Sequence, residues 1–364
     1  MAKIELKLAH TYSTAADPSP EDYALVQLDL TFEQGGAYAL LGPSGCGKST
    51  MLNIISGLLR PSQGRVLFDG KDVTLLKPSE RNIAQVFQFP VVYDTMTVGQ
   101  NLAFPLRTRR IEPRKIDARV SLIAEILGLS SDLNLVAANL PADMKQKISL
   151  GRGLVRDDVA AVLLDEPLTV IDPLLKWQLR QKLKEVHREL NVTLVYVTHD
   201  QVEAMSFADK VIVMSHGKVL QVGTPEELFE DPHHTFVGTF VGSPGMNFVE
   251  VQVRGGELFK GDNLIGTAPD LVKGETSSAL KLGVRPEHVA IVADQTGVEA
   301  KLKRIQSLGG YHLLTVDLYG QEIFVRTDRA DSLSEPDAPL RVDMLGPYTR
   351  FFKNDVKLPL GGHL

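Results

Sequence analysis

Residues 37–55 constrain the fold more than any other stretch. An apolar run, Ala37-Tyr-Ala-Leu-Leu41, leads into Gly42-Pro43-Ser44-Gly45-Cys46-Gly47-Lys48-Ser49-Thr50, and a second apolar run follows to Ile55. The order predicts a buried strand, a glycine-rich turn and a helix. The central stretch fits the pattern G-x-x-x-x-G-K-[ST], and phosphate chemistry explains its residue types. The glycines let successive backbone N–H groups point at phosphates, Lys48 reaches the β- and γ-phosphates, and the Ser49 hydroxyl holds Mg²⁺. The N-terminus of the helix that follows faces the same anion. A purely structural turn is a poor account of so long a match between a strand and a helix.

A chain of 364 residues is long for one domain, so two are expected. Its net charge of −6 gives no footprint for nonspecific nucleic-acid binding. Cys46 is the only cysteine, which excludes an intrachain disulfide and points to a reducing compartment. Its bland reading, a small residue that fits the loop, outweighs a redox sensor. There is no basic segment followed by an apolar run at the N-terminus, and no stretch of about 18 apolar residues. The expectation is a cytosolic protein that reaches a membrane only through a partner.

Lys3 to Ala9 and Leu25 to Phe32 read as strands, joined through a loop rich in Ser, Pro, Asp and Ala from Ser13 to Asp22. Beyond the glycine-rich stretch, Arg65 to Gly70 and Ile83 to Phe87 read as strands. Val98 to Val155 reads as helical, with Pro105, Pro113 and Pro141 as breaks. Strand and helix then alternate through Val159–Leu164, Leu174–Leu190, Thr193–Val197, Val202–Ala208 and Val211–Met214. The fold class is therefore α/β with a helical insertion. Near Val241-Gly-Ser-Pro-Gly245 the character changes, and short apolar segments separated by Gly, Asp and Pro predict a second, β-rich domain, a small barrel. The expected division is 1–240, with a helical subdomain at about 90–155, and 241–364.

Ala161-Val-Leu-Leu-Asp165-Glu166 is an apolar strand that ends in two acids. Behind a phosphate loop, Asp165 is suited to hold Mg²⁺ and Glu166 to act as the base that orients and polarises an attacking water. His199 closes the next strand, at the carboxyl edge where open α/β sheets bind ligands. Gln88 ends the strand Ala84-Gln-Val-Phe87 in a similar place and is suited to Mg²⁺ and the water.

Together these positions resemble the nucleotide-binding subunit of an ATP-binding-cassette (ABC) transporter. Gly42 to Thr50 looks like its Walker A motif, Gln88 its Q-loop, Ala161 to Glu166 its Walker B motif, Leu168 to Asp172 its D-loop and His199 its switch histidine. Tyr12 falls where the family places an aromatic residue that stacks on adenine, with Tyr23 as a rival. Thr198 to Met205, Val241 to Phe248 and Leu282 to Val289 are similar to the maltose and glycerol-phosphate branch of bacterial importers, whose C-terminal OB-like region is called TOBE.

The resemblance implies ATP and Mg²⁺ as cofactors and ATP hydrolysis as the reaction. It implies integral membrane permease subunits as partners, met through the region from Val91 to Phe104. It also implies an indirect link to a periplasmic or extracellular substrate-binding protein, and a peripheral place on the cytoplasmic face of the inner membrane. The cargo class is a sugar or polyol, with glycerol or glycerol phosphate within it. A soluble ABC ATPase of DNA repair or translation is the alternative, disfavoured by the single nucleotide-binding domain and the acidic charge. A non-hydrolysing regulatory subunit is another, disfavoured by the presence of Glu166 and His199.

One motif departs from the family. Its Leu-Ser-Gly-Gly-Gln signature, which grips the γ-phosphate of ATP held by the other subunit, is here Leu140-Pro141-Ala142-Asp143-Met144. Pro141 has neither hydroxyl nor N–H, Ala142 adds a methyl group, and Asp143 brings a carboxylate towards an anion. At an effective dielectric constant of about 20, unit charges about 4 Å apart repel by roughly 4 kcal/mol. Pro-Ala-Asp is still a good helix start, so the helix is expected to survive without its phosphate contact. The expected consequence is a heterodimer with a second ABC ATPase subunit whose signature is intact.

Overall fold

The computed structural model describes residues 2–15, 17–169, 171–190, 192–272, 280–293, 297–328 and 338–359, which fall into two compact units, Met1–Pro225 and Glu226–Leu364. The first unit opens with a hairpin of β1 (Ile4–Thr11) and β2 (Tyr23–Phe32), whose inward positions Ile4, Leu6, Leu8, Leu28, Leu30 and Phe32 alternate with polar ones. The chain continues through β3 (Ala37–Leu41), buried at every position, and α1 (Lys48–Ser56). Then come β4 (Gln63–Phe68), β5 (Lys71–Asp72), the single turn α2 (Pro78–Arg81) and β6 (Ala84–Val86). Three helices follow, α3 (Val98–Arg107), α4 (Pro113–Ile126) and α5 (Ala142–Leu154). The unit closes with β7 (Val162–Asp165), α6 (Pro173–Leu190), β8 (Leu194–Thr198), α7 (Gln201–Phe207), β9 (Lys210–Ser215) and β10 (Lys218–Gly223).

Two sheets result. One is antiparallel in the order β2-β1-β4-β5; the other runs β10-β9-β3-β8-β7-β6 and is parallel except for the β9–β10 hairpin. A common core takes residues from both sheets and from α1, where Met51, Leu52, Ile54 and Ile55 are fully buried. At about 1.5–3 kcal/mol per buried apolar side chain, this packing is what holds the glycine-rich turn in place.

Of the three expected helix breaks, Pro113 begins α4 and Pro141 precedes α5, but Pro105 lies inside α3. There it forfeits one backbone bond near the helix end. The buried face of Val98, Leu102 and Leu106 and the Thr97–Gln100 capping box outweigh that loss.

In the second unit, α8 (Pro225–Glu230) and α9 (Thr235–Phe240) precede a run of strands: β11 (Asn247–Arg254), β12 (Glu257–Lys260), β13 (Asn263–Thr267), β14 (Leu280–Val284), β15 (Ala290–Val292) and β16 (Val298–Ser307). The run ends with β17 (His312–Leu318), β18 (Gln321–Thr327), β19 (Pro339–Asp343), β20 (Arg350–Lys353) and β21 (Val356–Lys357). Their two sheets, β13-β12-β11-β14-β20-β21 and β15-β19-β16-β17-β18, share one apolar core. The guanidinium of Arg285, 1% exposed, donates to the carbonyls of Phe229 at 2.5 Å and Val241 at 2.6 Å and lies over the Phe229 ring. Burial lowers its pKa to about 10.

Candidate functional site

Strand register assembles the site. In the parallel sheet Leu41 pairs with Thr198, Val197 with Asp165, and Leu164 with Val86, so β3, β8, β7 and β6 end at one level. Each chain continuation leaves that edge with a polar group: Gly42 to Thr50 after β3, His199 after β8, Glu166 after β7 and Gln88 just beyond β6.

The turn after β3 is shaped by close approach. Gly45 and Gly47 have φ of 80° and 107°, the left-handed region. At Gly47 a Cβ would also lie 2.5 Å from the carbonyl oxygen of Ala24. Lys48, 5% exposed, folds its ammonium back over the turn and donates to the carbonyls of Gly42 at 2.8 Å and Pro43 at 2.9 Å. Cys46 is buried beneath it, and burial pushes its thiol pKa up despite the nearby lysine. Ser44 and Gly45 are exposed, and Thr50 accepts or donates a 3.2 Å bond with the Tyr12 hydroxyl. Tyr12 is 63% exposed, with its ring edge-on to His10 at 4.6 Å. Its rival Tyr23 is half-buried and meets Gln63 instead, at 3.4 Å.

The acids sit opposite. Ser49 Oγ donates to Asp165 Oδ1 at 3.2 Å; burial raises the pKa of Asp165, with the bond from Ser49 opposing and the charge of Glu166 adding. Glu166 has a φ of 43°, a left-handed conformation rare for a side chain of its size, and its N–H is held by the Val197 carbonyl at 3.0 Å. Its carboxylate is shared: Oε2 accepts from Gln88 Nε2 at 3.2 Å, and Oε1 lies 3.2 Å from His199 Nδ1.

This oxygen-rich pair, Ser49 and Asp165, suits a hard cation such as Mg²⁺, which takes few protein ligands and leaves the rest to water and phosphate. Among the described residues there is no group of three or more His, Cys, Asp or Glu placed to hold a metal unaided.

Asp172 is exposed, and its carbonyl accepts the N–H of Lys176 at 2.8 Å; within Leu168 to Asp172, Val170 lies outside the described residues. In the departing motif, Pro141 is the residue before α5, with no side-chain capping bond, and its carbonyl takes the Lys145 N–H at 3.0 Å. Ala142 is exposed, Leu140, Asp143 and Met144 are half-buried, and Asp143 falls in the first helical turn. The helix thus forms without the family's residues.

Several contributors were not foreseen. Thr169 Oγ1 approaches Glu166 Oε2 at 3.4 Å. Asp200 caps α7 by accepting from Val202 N at 2.7 Å and Glu203 N at 3.3 Å, which fixes the end of β8 beside His199. An Asp three residues before Glu203, ahead of an apolar run, is a readable helix-start signal. The buried Gln146 of α5 donates to the Pro167 carbonyl at 2.8 Å, and nothing in the local pattern announces it.

Comparison with known proteins follows the same outline. Residues 25–169 match the ABC transporter family, residues 242–289 the MalK OB fold domain and residues 282–345 the TOBE domain. The chain is 40% identical to an sn-glycerol-3-phosphate import ATP-binding protein of Psychromonas ingrahamii, over 84% of this chain and 81% of that one. It is 35% identical to a multiple sugar-binding transport ATP-binding protein of Streptococcus mutans, over 90% and 92%. It is 37% identical to a trehalose/maltose import ATP-binding protein of Thermococcus litoralis, over 85% and 88%. Among solved structures, cbiO1 of Clostridium perfringens, part of an ABC transporter complex, superposes with a TM-score of 0.56 at 27% identity, covering 63% of this chain and 90% of that one.

Proposed function

This chain belongs to the ABC transporter family as an ATP-binding, ATP-hydrolysing member, and from that premise we propose that it energises import of a sugar or polyol, with glycerol phosphate within that class. The observation that carries the reading is Glu166 held between Gln88 and His199, on the sheet edge it shares with Lys48 and Ser49. In this assignment Lys48 exchanges its bonds to Gly42 and Pro43 for the phosphates, and the backbone N–H groups of Gly45 to Thr50 cradle them. Tyr12 stacks on the base. Ser49, Asp165 and Gln88 would hold Mg²⁺, which when bound supplies neutralisation of phosphate charge. Glu166 orients the attacking water and takes its proton, and His199 fixes the carboxylate's direction.

The nucleotide-binding role is assigned to residues 1–240 and a regulatory role to 241–364, consistent with an OB fold match that starts at 242. The chain works on the cytoplasmic face of the membrane against permease subunits, and among the described residues no helix is long and apolar enough to cross it. Phe89 and Val91 are exposed, and Val91 lines a groove of about 250 Å³ together with Phe87, Pro105, Arg152 and Arg156, a mixed apolar and basic face assigned here to the permease. We assign a different ATPase, with an intact signature, as the second subunit. Pro141 offers neither hydroxyl nor N–H to a phosphate, so two copies of this chain would form two poor sites.

The test is to tag this chain, purify it with its membrane subunits and compare wild type with Glu166→Gln. The substitution keeps size and removes the base, so ATP still binds while turnover falls by about 100-fold or more. Turnover close to wild type would move the chemistry away from this chain's own site.

A further inference from the structure

Helix α5 is the element whose N-terminal residues depart from the family, yet its inner face is built into this chain's own site. Gln146 is 0% exposed, and its Nε2 donates to the carbonyl of Pro167 at 2.8 Å and reaches that of Phe87 at 3.5 Å. Pro167 follows Glu166, and Phe87 precedes Gln88. One amide therefore ties together the backbones beside the two residues whose side chains meet at 3.2 Å. Its Oε1 is buried without a partner, a cost that an apolar residue of the same size would avoid.

One turn further along the same face, Ser149 Oγ accepts from Val91 N at 3.3 Å, and beyond it Arg152 donates to the Val91 carbonyl. The helix thus tracks the segment after β6, and Gln146 also reaches across to the segment after β7.

We propose that Gln146 is a positioning residue for hydrolysis: its amide sets the separation of the Gln88 and Glu166 segments, so that α5 acts on the nucleotide held by its own chain. The inference rests on the assignment of Glu166 as the base. It also gives the helix a reason to keep its form after losing the phosphate-gripping residues.

The experiment uses the full-length chain in its purified membrane complex, with Gln146→Met, Gln146→Glu and, as control, Glu166→Gln. Methionine matches the volume, removes the donor and removes the unpartnered oxygen. The expected result is kcat lowered about 10-fold to 100-fold, KM for ATP changed less than about 2-fold, and a melting temperature only a few degrees below wild type, since removal of the unpartnered oxygen partly offsets the carbonyl left without its donor. Gln146→Glu replaces the donor by acceptors facing two carbonyls and should lose at least as much kcat.

A structural role alone would lower the melting temperature and leave the kcat of the folded complex intact. Wild-type kcat in a folded Gln146→Met complex, with Glu166→Gln inactive, overturns the proposal. Should Gln146→Met not fold, that destabilisation itself contradicts the expected melting behaviour. Full turnover by Glu166→Gln would refute the base assignment instead, and this inference with it.

Discussion

Cys46 shows how far a single side chain can be judged from its neighbours. A thiol two residues from a lysine invites the idea of an activated thiolate, but the side chain is 3% exposed and burial outweighs the lysine's charge, raising the pKa. Native protein at neutral pH should therefore resist iodoacetamide and be alkylated promptly only in denaturant, read by mass spectrometry. Rapid modification of the folded chain would restore the redox-sensor reading.

The same scale shows what the letters could carry. The positions of Lys48, Ser49, Asp165, Glu166, Gln88 and His199 at strand ends or in spaced motifs are readable in the sequence, and the structure brings Ser49 to Asp165 and both Gln88 and His199 to Glu166. The left-handed backbone of Glu166 and the reach of Gln146 are not readable there, because each depends on a neighbour distant in sequence: Val197 for the first, Pro167 for the second.

Among elements, α1 depends on a residue that no motif flags. Arg81, 2% exposed, donates to the carbonyls of Ile54 at 2.6 Å and Ile55 at 3.0 Å, at the C-terminus of α1, and to those of Thr74 and Leu76. A cation there complements the helix dipole and satisfies acceptors that the helix itself cannot. Arg81→Met should cost about 2–4 kcal/mol, seen as a lower urea midpoint with an unchanged slope. A midpoint within error of wild type would mean that water replaces the guanidinium freely. Periodicity located most helices and strands, since the apolar faces of β1, β2, α1 and α4 repeat at the expected spacing. It failed at Pro105, where local propensity gave way to packing, and it did not single out β10, whose polar residues conceal an edge strand.

At the scale of the whole molecule, the proposed nucleotide site of Lys48, Ser49, Asp165 and Glu166 stands beside Leu140 to Met144, which lacks the hydroxyl and glycines of the family's signature. On the proposed function, such a combination calls for a partner that supplies what Leu140 to Met144 lacks. In a homodimer both shared sites would forgo charge-assisted hydrogen bonds worth about 1.5–3 kcal/mol each and would meet Asp143. The division of the sequence into an α/β part and a β-rich part was legible from the loss of helical period after Val241. The assembly is not written in one chain, and the heterodimer proposed above rests on Leu140 to Met144 alone.

The most direct test is steady-state ATP hydrolysis by the isolated chain and by the chain in its membrane complex, each with and without Pro141→Ser, Ala142→Gly, Asp143→Gly and Met144→Gln together. Very slow turnover by the isolated wild type, a gain of at least about 10-fold in the isolated restored chain, and turnover by the wild-type complex are predicted. Brisk hydrolysis by the isolated wild type, with no gain from restoration, would contradict the asymmetric assembly.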